Sequence, residues 1–130
     1  MSDDSRKALK EKGLQIRSEV LGQKYVDAAL NNKNDFNTEL QDLLNEYCWG
    51  WNWSREGLSR RERSLINLGM LTALGRTHEV ATHTRGAKNN GLTNKEIAEV
   101  FLQAAIYCGV PAAVDSFRAA NEVIAEYDSE

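Results

Sequence analysis

SRRERSLINLGMLTALG, residues 59–75, decides the fold. Ser59-Arg60-Arg61-Glu62 is a capping box: the serine hydroxyl accepts from an amide of the first turn, and Glu62 reaches back to the serine N–H. Leu65, Leu68 and Leu71 with Thr72 then recur at three and four residues, which gives one inward stripe on a helix running to about Leu74 and ending at Gly75. A second box, Thr93-Asn94-Lys95-Glu96, opens a helix with Ile97, Val100, Phe101, Ala104 and Cys108 on one face. Between the two, Thr77 to Asn89 reads as a helix closed by Asn90-Gly91, a pair that tolerates the left-handed cap conformation. Beyond the break at Gly109 and Pro111, a last helix turns Val114, Phe117, Ala120, Ile124 and Tyr127 inward, and the tail Asp128-Ser129-Glu130 is expected to fray.

Upstream, Phe36, Leu40, Leu43, Leu44 and Tyr47 recur at helical spacing and predict another helix. Ser5 to about Val20 carries a weaker apolar face of Leu9, Ile16 and Val20, and Lys24 to Asn31 forms a short helix after Gly22. Trp49 to Leu58 has two glycines, tryptophans at alternate positions and no helical period, so an ordered loop is expected there. No strand-like alternation and no internal repeat competes. The fold class expected is all-α, in one domain spanning residues 1–130.

Composition narrows the function. A hydrophobic fraction of 42% is enough for a folded core. The net charge of -3 disfavours phosphate backbones and anionic lipid, so neither nucleic acid nor membrane is an expected partner. No apolar run is long enough to span a bilayer, and the charged start Ser2-Asp3-Asp4-Ser5-Arg6-Lys7 has no apolar signal core; the cytoplasm is the expected location. Cys48 and Cys108 form no C-x-x-C pair and read as reduced, buried small hydrophobes.

The candidate chemistry centres on His83. With His78 it makes up the whole histidine complement, and the carboxylates show no metal-ligand spacing, so no metal is expected. Arg76, Glu79 and His83, at offsets of three and four, share one helix face. A carboxylate one turn before an imidazole can hold the ring and raise its pKa, giving an acid and base near neutrality; the same spacing also describes a solvated surface pair. His78 is assigned to the surface. Arg60, Arg61 and Arg63, with Arg76 and Arg85, could grip a carboxylate through planar guanidinium forks, or form a solvated face. Trp49, Trp51 and Trp53 could wall a pocket, fill a subunit interface or pack in the core.

From about Phe36 to Glu126 the sequence resembles the carboxymuconolactone decarboxylase family. The resemblance is carried by Tyr47-x-Trp49-Gly50-x-x-Trp53, Gly57-Leu58, Arg61-x-Arg63-Ser64-Leu65, Ala73-Leu74 and Glu79-x-x-x-His83. It continues through Asn89-Asn90-Gly91, Glu96-Ile97, Glu99-Val100 and Gln103-x-x-Ile106-Tyr107-Cys108-Gly109-Val110-Pro111-Ala112-Ala113. Together these motifs are specific in order and spacing.

The resemblance implies an AhpD-like orthogonal bundle of about six or seven helices, with residues 1–34 as an N-terminal helical extension. It also implies a homo-oligomer, commonly a hexamer, and a place in protocatechuate breakdown through the β-ketoadipate pathway. The implied reaction turns 4-carboxymuconolactone into β-ketoadipate enol-lactone. Electrons released with CO2 flow into the conjugated lactone carbonyl, so the substrate is its own electron sink and no cofactor is implied. His83, oriented by Glu79, would protonate a carbon or hydrogen-bond the enolate oxygen. Arg63 and Arg76 would hold substrate charge, with Trp51 and Trp53 beside the substrate.

Alkylhydroperoxidase-like members of the superfamily carry a C-x-x-C pair followed four residues later by a histidine. Counted back from His83, those two positions hold Glu79 and Arg76, which disfavours thiol peroxidase chemistry. Two departures from the family pattern are Trp51, at a position often acidic, and Glu56, where proline is usual before Gly57-Leu58. They leave open a paralogue acting on another lactone, or an oligomer that binds a small ligand without turning it over.

Overall fold

A computed structural model of the chain describes residues 2–130. Among them are seven α-helices, one of which continues as a π-helix, and no strand: α1 (Asp3–Leu21), α2 (Gln23–Asn31), α3 (Thr38–Leu43, prolonged by the π-helix Leu44–Asn52), α4 (Arg60–Leu74), α5 (Thr77–Asn89), α6 (Asn94–Cys108) and α7 (Val110–Asp128). The fold is all-α, consistent with an AhpD-like helical bundle. The chain divides into two compact units, Met1–Leu58 and Ser59–Glu130. No helix of the described residues is long and apolar enough to cross a membrane.

In the first unit α1 packs along the π-helix. The expected loop at residues 49–58 is corrected here: Leu44–Asn52 is helical, and the Trp53 N–H donates to the Cys48 carbonyl five residues back, at 3.0 Å. The wider turn carries Trp49 and Trp53 to one side and Trp51 to the other. Trp49 and Trp53 stack, with centroids 4.8 Å apart and planes at 22°, among buried Ile16, Val20 and Leu21.

Glycine, read as a loop signal at Gly50, instead marks close backbone approach. A Cβ on Gly50 would lie 2.4 Å from the Leu9 carbonyl oxygen, and one on Gly13 would lie 1.7 Å from that of Asn45. Polar groups lock the same interface. Arg17, 4% exposed, donates to Gln41 at 2.9 Å and Asn45 at 3.0 Å, while Arg6 reaches the buried Glu46 carboxylate at 3.0 Å. The Phe36, Leu40, Leu43 and Tyr47 stripe is exposed, so this face does not supply the chain's own core.

Helices α4 to α7 build the second unit around Leu68, Val80, Ala87, Leu92, Ile97, Phe101 and Ala120. Burying a side chain such as Leu68 or Phe101 contributes about 1.5–3 kcal/mol. Both capping boxes form as the sequence predicts, at Ser59 and at Thr93. Gly75 closes α4 in the left-handed region at φ 70°, and the Arg76 N–H returns to the Leu71 carbonyl, so α5 starts almost at once.

Three sequence expectations change in this unit. On α7 the buried positions are Ala113, Ser116 and Ala120; Val114 and Phe117 are exposed, although the Phe117 ring meets Phe101 edge-on at 5.2 Å. Cys108 is exposed rather than buried, because α6 ends there beside Gly109; its counterpart in the first unit, Cys48, is half-buried, and burial raises its thiol pKa. The tail is tied down rather than frayed. Asp128 accepts from Lys88 at 3.1 Å and Asn94 at 2.9 Å, and Glu130 accepts from Arg85 at 2.8 Å.

Candidate functional site

His83 sits on α5, two turns beyond Arg76, which precedes the helix as its N-cap residue. Arg76 and Glu79 are exposed, and the acidic Glu79 in the first turn suits the positive end of the helix dipole. The imidazole is different, being largely withdrawn from water. Its Nδ1 lies 3.2 Å from the side-chain amide nitrogen of Asn67 on α4. Arg63, half-buried, stands four residues before Asn67, on the same face of α4. The structure thus brings Arg63 and Asn67 to the α4 face that meets the His83 ring.

The electrostatics overturn one expectation. Glu79 does favour the charged imidazolium, but desolvation outweighs it and lowers the His83 pKa from 6.5 to about 4. The ring is therefore neutral at physiological pH, instead of an acid and base near neutrality. Removing a cation from water costs more here than one exposed carboxylate returns.

Other candidates fall elsewhere. His78 is exposed, as expected. Arg61 is paired with Glu96, whose carboxyl that hydrogen bond, with the Thr93 backbone N–H, pulls down to about 2. Arg85 is held by Glu130 and Glu126, so these two guanidiniums brace helices of the second unit. In the first unit, Trp53 is in the core at 5% exposed, whereas Trp51 is 51% exposed with the Arg55 guanidinium 4.6 Å above its ring. An apolar groove of about 610 Å3 runs between α4 and α6, lined by residues such as Leu65, Met70, Val100 and Tyr107; neither His83 nor Arg63 lines it.

Asn67 is the residue that sequence reasoning missed. Its signal was present in two parts: it lies one turn after Arg63, and the short Gly75-Arg76 connection forces α4 and α5 to be neighbours. An asparagine in a helix interior is unremarkable by type, so only the helix pairing singles it out.

These features define an all-α protein with a thiol-free candidate site centred on one desolvated histidine. The chain belongs to the carboxymuconolactone decarboxylase family, whose pattern it matches over residues 38–122. It is 42% identical over 123 residues to the 4-carboxymuconolactone decarboxylase of Acinetobacter baylyi, covering 95% of this chain and 90% of that relative. It is 40% identical over 123 residues to the nitrosuccinic acid decarboxylase of Metarhizium robertsii, covering 95% and 86%. An uncharacterized 15.0 kDa protein of Paracoccus denitrificans is 35% identical over 91 residues, 68% of this chain and 67% of that protein.

Proposed function

We propose that the chain is a cofactor-free carboxy-lyase that removes CO2 from 4-carboxymuconolactone to give β-ketoadipate enol-lactone, as part of aromatic-acid breakdown. The observation that carries the reading is the 42% identity to a decarboxylase of that lactone, extending over 95% of the chain. In the reaction the bond between the ring carbon and the carboxylate breaks, and its electron pair passes through the conjugated double bond to the lactone's carbonyl oxygen. A proton then adds to carbon.

The His83 environment supports one of the two roles open to it. A neutral imidazole is too weak an acid to protonate carbon readily, yet its N–H is a good donor to a developing oxyanion. His83 therefore hydrogen-bonds the enolate oxygen, and the carbon receives its proton from another acid. Arg63 and Arg76 neutralise substrate carboxylate, and Glu79 acts on the ring through its charge. Electrostatic stabilisation of this kind is worth roughly a hundredfold or more in rate.

The nitrosuccinic acid decarboxylase is nearly as similar, which supports a second substrate in the same chemical class. Nitrosuccinate also carries a carboxylate on a carbon whose electrons can enter an acceptor, here the nitro group. Trp51 and Glu56 are the departures that would accompany such a change. Purified protein incubated separately with each acid, with released CO2 and product measured, decides between them. Turnover of the lactone supports the first reading, turnover of nitrosuccinate alone supports the second, and release from neither leaves a binding protein.

The chain also assembles with copies of itself, as a hexamer, in this proposal. Support comes from apolar side chains left on the surface, including Phe36 at 98%, Tyr107 at 83% and Ile106 at 82% exposed. Sedimentation equilibrium should return six times 14.6 kDa; a monomer would refute the assembly.

A further inference from the structure

Asn67 has no part in the reaction as described so far, but it makes the contact that defines the imidazole. Its side-chain nitrogen approaches Nδ1 of His83 at 3.2 Å, across the α4 and α5 pairing, and both residues are only partly accessible. An amide NH2 can only donate, so a ring nitrogen that receives it must be the one without a hydrogen. A neutral imidazole carries one hydrogen, which then stands on Nε2.

We propose that Asn67 is a positioning residue that fixes His83 as the Nε2–H tautomer, so that the donor edge of the ring is Nε2. The inference rests on the reading of His83 as an oxyanion donor. A ring with its hydrogen on Nδ1 would present a lone pair at Nε2, and a lone pair repels an enolate. Asn67 thus keeps the ring a donor without touching substrate, much as a hydrogen bond to one nitrogen settles which of the two is protonated in other histidine sites.

The test is nitrogen NMR on the full-length protein labelled with 15N-histidine, near neutral pH. Wild type should show His83 Nδ1 as a pyridine-like and Nε2 as a pyrrole-like nitrogen. Asn67→Asp can only accept, so it should move the hydrogen to Nδ1 or charge the ring. Asn67→Ala should give a tautomer mixture. On the lactone, both variants should lose at least about tenfold in kcat with KM changed much less, as for an interaction made in the transition state.

A wild-type His83 with its hydrogen on Nδ1, or an Asn67→Asp protein whose ring nitrogens keep the wild-type pattern, overturns the proposal. The tautomer readout does not need turnover. A wild-type protein with the Nε2–H signature but no CO2 release would refute the decarboxylase reading while leaving the Asn67 assignment standing. Turnover together with the wrong tautomer would do the reverse.

Discussion

Lowering the pH should destabilise this protein through one residue, His83, before its carboxylates are fully titrated. In the unfolded chain a histidine binds its proton near pH 6.5, whereas in the fold His83 resists it down to about 4. Between those values the unfolded state binds more protons than the folded state, so stability rises with pH across the window and falls as pH drops through it. Each unit of pKa difference corresponds to about 1.4 kcal/mol, which makes the full effect about 3 kcal/mol.

Urea unfolding followed by circular dichroism, at intervals between about pH 8 and pH 4, measures it in wild type and in His83→Gln. Glu62, Glu96 and Asp128 also have lowered pKa values and will contribute to acid loss, but they do so in both proteins and cancel in the difference. Wild type should lose about 3 kcal/mol more than the variant over that range. Parallel curves for the two proteins would refute the claim that the imidazole is held neutral by burial.

Two further outcomes test the packing. Gly13→Ala places a methyl 1.7 Å from the Asn45 carbonyl oxygen, where backbone on both sides must move; stability in urea should fall by about 3 kcal/mol or more, and an unchanged midpoint would contradict the close approach of α1 and the π-helix. Thr72→Val removes the hydroxyl that meets Ser116 at 2.8 Å in the second unit's interior, leaving a buried partner; a loss of about 1–3 kcal/mol is expected, partly recovered in the Thr72→Val, Ser116→Ala double variant.

Much of the helical framework was legible because its signals are local. The two capping boxes, the left-handed glycine after Leu74 and the bounds Thr77–Asn89 all follow from residues within a few positions of one another. The π-helix was not, since its period differs from that of an α-helix and its glycines serve a tertiary contact that no local pattern announces. The apolar stripe from Phe36 to Tyr47 marks a helix that starts only at Thr38, leaving Phe36 in the turn before it, and Val114 and Phe117 lie on α7 as expected; periodicity does not say whether an apolar face meets the chain's own core.

The candidate site was legible in part for the same reason. Glu79 and His83 lie one turn apart on α5, as their offset requires, whereas Arg76 precedes the helix as its N-cap; the protonation state of the imidazole depends on burial, and its bonding partner lies on another helix. A glutamate one turn away looks decisive in sequence and is outweighed in space. Asn67, sixteen residues from His83, becomes visible only once α4 and α5 are paired.

The most direct test of the function assigned to His83 is single-turnover and steady-state decarboxylation of 4-carboxymuconolactone by wild type and His83→Ala, with CO2 and enol-lactone both quantified. Wild type should turn the lactone over, and the variant should lose about a hundredfold or more in kcat while keeping its helical circular dichroism. Equal rates in the two proteins would contradict the role of the neutral imidazole, and no CO2 from wild type would contradict the assigned reaction itself.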